Sequence, residues 1–346
     1  MKDLLQYLSP FAPDLAGAVA VLFELDGLIV ICDAGGCTGN ICGFDEPRWF
    51  THKSALFSAG LRDMDAILGR DKELAAKLIA AAQVSDRKFL AMIGSPVPAV
   101  IATDFGALKR MCRKELDIPV MAVEASGTLD YEVGASLAYM ELFKTLSKER
   151  LPVIPGSVGV LGVTPLDYST LEAGKIIRAA LGESAQIYGM GAGLDAAKRA
   201  SAVEKNIVTS PCGLRAAQYL ERSFGTPYEI AVPGIYDHLN LDELDLQNKK
   251  VLIIHQVFAA EALKNELVKR ESGCQVQVGS FFNRFAGSAD FKFDSEADLR
   301  KVFAENNFDL VIGDMAFKRV VNDLYCGKWC EFAHFAVSGK LLEGDV

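Results

Sequence analysis

Histidine is scarce in this chain of 346 residues: there are four, His52, His238, His255 and His334. None sits in a His-Glu-x-x-His pair or at a Cys/His zinc-finger spacing, so a catalytic zinc site has little support. Positive charge is short as well. The 36 Lys and Arg against 45 Asp and Glu leave a formal net charge of -9, which excludes sequence-independent nucleic-acid binding as a default, because that binding needs excess cations to neutralise phosphates. A small ligand or a protein partner is expected instead. Long hydrophobic runs are also missing. The most apolar stretch, residues 16–32, is interrupted by Glu24, Asp26 and Gly27 and divides into two short elements, so no membrane span is expected. The start, Met1-Lys2-Asp3-Leu4-Leu5-Gln6, lacks the basic, apolar and small-residue regions of a signal peptide, and the expected location is cytoplasmic.

What is present is an α/β pattern. Half of the residues are hydrophobic and 23% are charged, as in a well-packed globular protein long enough for two or three domains. Short apolar runs predict strands at 18–23, 28–31, 89–93, 120–123, 158–163, 186–188, 206–208, 229–231, 251–254, 275–278 and 310–312. Many are apolar on both faces, as strands of a parallel sheet covered by helices are. Amphipathic helices are predicted between them at 72–83, 134–147, 170–181, 194–204, 214–224 and 259–270. A Pro/Gly segment after Lys148 and a polar, acidic connection at 239–248 mark boundaries. The expectation is three doubly wound, Rossmann-like domains with mostly parallel sheets, at 1–150, 151–248 and 249–346. Ligands bind such units at the carboxyl ends of strands and in clefts between domains.

Eight cysteines in a reducing compartment are buried small hydrophobes, reactive thiols or metal ligands rather than a disulfide framework. Three are evenly spaced in Cys32-Asp33-Ala34-Gly35-Gly36-Cys37-Thr38-Gly39-Asn40-Ile41-Cys42-Gly43. Glycines permit close approach of the backbone, and thiolates are the soft ligands that iron-sulfur clusters select. The spacing is neither a complete ferredoxin pattern nor a zinc ribbon. Either the three are free thiols in a tight turn, or they ligate a metal. Three thiols are one short of a four-cysteine site, so a fourth ligand comes from elsewhere or a dimer supplies matching cysteines across its axis.

The same segment resembles nitrogenase component 1 and its relatives, the dark-operative protochlorophyllide and chlorophyllide reductases and the nickel-tetrapyrrole reductase. Gly17-Ala18, an acidic turn, a strand and Gly36-Cys37 look like the family's opening, and Cys37 matches a cluster ligand of the family. The likeness continues in order through residues 61–69, Val100-Ile101-Ala102-Thr103-Asp104-Phe105, residues 120–134, Gly162-Val163-Thr164-Pro165-Leu166-Asp167, Gly191-Ala192-Gly193-Leu194-Asp195, residues 206–208, Phe224-Gly225-Thr226-Pro227 and Pro233-Gly234. Two further ligand positions of the family fall at about Pro13 and Pro96, which cannot bind iron. The resemblance therefore implies a simpler 4Fe-4S cluster shared by two identical or related subunits, with Cys37 first and Cys32 or Cys42 completing the set. It also implies an ATP-dependent Fe-protein-like electron donor and reduction of a small molecule or tetrapyrrole-like substrate in an interdomain cleft. A metal-cluster or cofactor assembly carrier on the same scaffold is the alternative.

Asp33, Asp45 and His52 are the candidate proton donors. Cys326 and Cys330, one helical turn apart if helical, form a possible second metal pair, although buried or incidental thiols are the simpler reading. Cys212 after a strand sits at a candidate cleft edge, and Cys112 and Cys274 read as ordinary packing positions. Gly189-Met190-Gly191-Ala192-Gly193 before a helix could hold a carboxylate or phosphate but lacks a full nucleotide fingerprint.

Overall fold

The computed structural model describes residues 5–342 except 53, 283–284 and 286–288. Its strands, among the described residues, are β1 (Leu28–Ile31), β2 (Ala55–Ser58), β3 (Leu90–Ile93), β4 (Val120–Val123), β5 (Ile154–Leu161), β6 (Gln186–Ile187), β7 (Val203–Val208), β8 (Tyr228–Ile230), β9 (Lys250–Ile254), β10 (Gln275–Ser280), β11 (Phe291–Lys292), β12 (Leu310–Gly313) and β13 (Lys328–Glu331). They form three sheets in the orders β2-β1-β3-β4, β6-β5-β7-β8 and β11-β10-β9-β12-β13. Every strand pairing is parallel. Parallel neighbours must be joined by crossovers, here through helices that cover the sheets, and this explains why the central strands are apolar on both faces. The α/β, doubly wound expectation is met.

Two expectations need correction. Residues 18–23, read as a strand, lie mainly in helix Asp14–Leu22, which is buried along its whole length. An apolar run without polar punctuation has no period to read, and tertiary packing decides its form. The decisive contact is with helix Tyr131–Leu146. A Cβ on Gly17 would fall 1.9 Å from the Tyr131 carbonyl oxygen, and one on Gly134 would fall 1.6 Å from that of Asp14, so the two helices touch backbone to backbone. The helix expected over 194–204 stops at Lys198; a 3-10 turn follows at Ala200–Ala202 and β7 starts at Val203. Strands β2, β11 and β13, which the sequence did not signal, are all sheet edges, where half-exposed residues blur the pattern.

Buried apolar side chains associated with all three sheets join in one core. A second, smaller core covers the other face of the first sheet, where Leu28, Val30 and Cys32 meet Leu108 and Cys112. The amino-terminal segment is stitched across the molecule: Glu296 accepts from the backbone N–H of Gln6, Tyr7 and Leu8 at 2.8–3.1 Å, while Ala12 N–H donates to Ala336 O and Tyr131 N–H to Ala12 O. Among the described residues no helix is long and apolar enough to cross a membrane.

Gly134→Ala tests the helix contact. Overpacking against backbone is expected to destabilise the fold by roughly 1–3 kcal/mol or more, read as a lower urea midpoint. An unchanged midpoint would mean the two helices are not in backbone contact.

Candidate functional site

Strand β1 runs into Cys32, whose N–H still donates to Ile93 O, and the chain then reverses. Gly35, at φ +121°, takes a conformation that L side chains rarely adopt. Asp33 organises the turn: its carboxylate accepts from Thr38 N–H at 2.8 Å, Thr38 Oγ1 at 3.0 Å and Ser58 Oγ at 2.5 Å. Helix Gly36–Asn40 follows, and continues as a π-helical turn over Ile41–Asp45. Wide turns of this kind are rare and concentrate at functional sites.

Arg48, buried just beyond, holds the segment in place. Its guanidinium binds Glu46 bidentately through Nε and Nη2, both at 2.7 Å, and reaches Glu24 Oε1 at 2.9 Å, Ala20 O at 2.7 Å and Gly189 O at 3.3 Å. Burial opposes the charge, and the Glu46 and Glu24 carboxylates more than offset it, so the guanidinium stays ionised. Glu24 Oε2 accepts from Gly191 N–H at 2.8 Å. The glycine loop considered for an anionic ligand thus receives one of the protein's own carboxylates.

The three cysteines of the segment do not converge. Cys32 is fully buried in the smaller core beside Cys112; burial, then Asp33 and Cys112, push its thiol up to about 12. Cys37 and Cys42 are half-buried. Burial and then Asp33 push the Cys37 thiol up, with its own backbone N–H partly offsetting them, while burial and then Glu46 push up that of Cys42. Among the described residues no group of three or more metal-ligating side chains comes together. The described residues of one chain therefore do not bring a complete set of cluster ligands together. The surface around Cys37 and Cys42 is nevertheless unusual. Gly36, Gly39 and Gly43 are exposed, have no positive φ, and would meet nothing within 4 Å if given a Cβ. Glycine in a helix costs about 1 kcal/mol relative to alanine, and nothing inside this chain requires it at these positions. Exposed Phe44 and Phe50 lie close by in sequence.

The same segment lines a cleft of about 620 Å³ through Asn40, Gly43, Phe44 and Asp45, together with Ala336 and Gly339. The amino-terminal segment around Phe11 and Pro13 also lines it. Of the proton-donor candidates, Asp45 alone lines this cleft. Burial raises its carboxyl to about 6, partly offset by the hydrogen bond from Asn40 Nδ2 at 2.7 Å. Asp33 is committed to the turn, and His52 is exposed, its ring 5.8 Å from that of Phe23.

A second polar group went unseen in the sequence. Tyr131, Glu132, Asp167, His255 and His334 are buried where the three sheets meet. The Tyr131 hydroxyl lies 2.8 Å from Asp167 Oδ1 and 3.1 Å from His334 Nε2, and Thr164 Oγ1 donates to Asp167 Oδ2 at 2.9 Å. The rings of Phe332, His255 and His334 stack, with centroid spacings of 4.1 and 4.2 Å. Both Glu132 oxygens and the Nδ1 atoms of His255 and His334 have no protein partner. Atoms buried in that way typically cost about 1–3 kcal/mol each. Burial, followed by Asp167 and Asp130, holds the Glu132 carboxyl well above the usual range; burial also lowers His255 to about 3. Position just beyond strands and at helix starts was the available signal: Asp167 follows β5, and His255 follows β9 directly.

The remaining cysteines are dispersed. Cys212 is buried at the start of helix Pro211–Phe224, and burial followed by Asp167 holds its thiol well above the usual range. Cys330 lies on β13 and Cys326 in the exposed connection before it, so the two are not one helical turn apart.

A family model described as nitrogenase component 1 type oxidoreductase matches residues 13–244. Among solved structures, nitrogenase Cp1 at pH 6.5 superposes with a TM-score of 0.71 at 13% identity, over 98% of this chain and 91% of that one. Nitrogenase Cp1 at pH 5 gives 0.61 at 16% identity, over 97% and 78%. At such identities the likeness is one of fold. The search of curated proteins gave no match.

The buried carboxyl makes a pH test possible. Because the Glu132 pKa is raised by folding, the folded state favours its protonated form, and stability is lost as pH rises above the unfolded value. Glu132→Gln is expected to be more stable than the native chain at neutral pH, with the gap closing towards about pH 4, the ordinary carboxyl range, in urea titrations. A pH-independent gap would contradict the burial of a titrating Glu132.

Proposed function

The chain belongs to the nitrogenase component 1 type oxidoreductases, and from that premise we propose that it is an iron-sulfur-dependent reductase component. It takes electrons from an ATP-dependent Fe-protein-like partner and reduces a small or tetrapyrrole-like molecule in the cleft beside the cysteine segment. The observation that carries this reading is the surface of that segment: two half-buried thiols, Cys37 and Cys42, on one short helical stretch among glycines that face open space. Two copies of the chain brought together there supply four thiolates, the number a 4Fe-4S cluster takes. The donor set of one chain is half of such a site, and the glycines let a neighbouring surface approach the backbone.

When bound, the cluster would supply single electrons at low potential. The chain's own groups do the rest. Arg48 and Asp33 fix the segment, so the thiols keep one geometry through electron transfer. Asp45, titrating near 6 and lining the cleft, is the group best placed to give a proton at neutral pH. The cleft of about 620 Å³ lies in the size range of small-molecule sites. Cys32 was also among the expected ligands; its place in the smaller core with Cys112 favours Cys37 and Cys42 as the ligand pair.

One observation favours the carrier reading. Burial, followed by Asp33 for Cys37 and Glu46 for Cys42, raises both thiols, and a thiol so raised is a less ready thiolate ligand at neutral pH. Turnover with an Fe-protein-like ATPase marks a reductase; transfer of cluster to an acceptor protein without net reduction marks a carrier.

Anoxic purification with iron and sulfide analysis tests the ligand assignment. Cys37→Ala and Cys42→Ala are each expected to lose most of the iron and the reduced electron paramagnetic resonance signal, whereas Cys32→Ala keeps both. Iron content indifferent to Cys37 and Cys42 would refute the assignment.

A further inference from the structure

The cysteine segment leaves the carboxyl end of β1, and the opposite end of the same sheet carries a pocket of about 340 Å³ that includes Pro119 and Val120 at the start of β4. Two helices end at it. Leu116 directly follows helix Phe105–Glu115, and Lys144 and Thr145 stand in the last turn of helix Tyr131–Leu146. About one residue in ten of the chain is Lys or Arg, yet four of the ten lining this pocket are: Lys109, Arg113, Lys144 and Lys148. Asp117 is the one acid among them. In a chain of net charge -9 such a convergence needs a cause.

Helix geometry accounts for part of it. The carboxyl end of a helix carries roughly half a negative charge, which a cation in the last turn offsets. Lys114 stands in the last turn of the first helix, and Lys148 Nζ donates to the Lys144 carbonyl oxygen near the end of the second. Lys109 is held by Glu141, whose Oε1 also accepts from Ala122 N–H at 3.1 Å. Arg113 and Lys144 are then surplus to both needs. Among the described residues neither has an ion pair or a side-chain hydrogen bond, although Asp117 lines the same pocket. Leu116 and Ile118 add half-buried apolar surface beside them.

We propose that this pocket binds a small phosphorylated molecule, a phosphate ester or a diphosphate, with Arg113 and Lys144 on the phosphate and Leu116 and Ile118 against the remainder. A planar guanidinium takes two phosphate oxygens at once, and an ammonium on a flexible stem supplies a point charge. The volume lies at the small end of the range for ligand sites, room for a phosphate and a short organic body. A doubly wound sheet binds ligands by default at the carboxyl ends of its strands, so a site at the amino ends is made by these side chains and not by the fold. It needs no iron, and it stands or falls separately from the cluster assignment.

Calorimetric titration of the full chain with inorganic diphosphate tests the site, in roughly 0.15 M chloride so that distant exposed charges are screened. Saturable binding of one diphosphate per chain is expected. Arg113→Gln and Lys144→Gln, both at exposed positions, are each expected to weaken it about tenfold or more, the loss of one charged hydrogen-bond donor. Arg113→Lys, which keeps the charge and loses the fork, is expected to fall between. Lys77→Gln removes the same charge from an exposed position on helix Asp71–Val84 and is expected to change nothing. Three results would overturn the proposal: no saturable binding by the native chain, a loss in Lys77→Gln equal to that in the pocket variants, which assigns the effect to net charge, or displacement of diphosphate by an oligoglutamate peptide that binds more tightly, which assigns the pocket to an acidic protein surface.

Discussion

The cysteine segment depends on one buried cation. Arg48 is buried, and a guanidinium in that position is stable only if its donors are met. They are met by Glu46 from its own turn, by Glu24 and Ala20 O from the first helix and its end, and by Gly189 O from the loop after β6. Removing one partner of a buried pair commonly costs 3–5 kcal/mol, roughly, because the other charge is stranded. The first sheet, the first helix and the second sheet are therefore tied at a single point, and the thiols are presented from that point. Asp33 completes the arrangement on the other side of the turn by accepting three hydrogen bonds.

That rigidity contrasts with the surface it supports. Gly36, Gly39 and Gly43 weaken the helical turns without relieving any contact or dihedral in the chain. Gly17 and Gly134 show the opposite case, where the absent Cβ is what lets two helices meet. Glycine used inside is explained by packing; glycine used outside has no such explanation within the described residues. On the proposed function, it meets a neighbour, a second copy bringing its own Cys37 and Cys42, which would complete a four-thiolate site.

Much of the fold was legible because its central strands are apolar on both faces and their helices keep a regular stripe. The first helix was not, since Ala, Val and Leu on every side leave no period to read. The cysteine segment announced itself by composition, yet which thiols face outward depends on the strand before it. Leu28, Val30 and Cys32 alternate onto the smaller core and Ile29 and Ile31 onto the larger one, so the two-residue period of β1 already carried the burial of Cys32. Asp45 stood out from Asp33 and His52 only once the cleft was built. The junction of Tyr131, Glu132, Asp167, His255 and His334 was illegible for a different reason: its members come from four stretches far apart in sequence, and only the convergence of the sheets brings them together.

Native mass spectrometry of anoxically purified protein tests the central claim most directly, because it counts chains and cluster atoms in the same particle. The expected species is two chains holding a single cluster of four irons and four sulfides, which falls apart into cluster-free single chains when the iron is removed. A single chain that retains a complete cluster, or a pair of chains holding two, would contradict a site shared across the glycine-lined face.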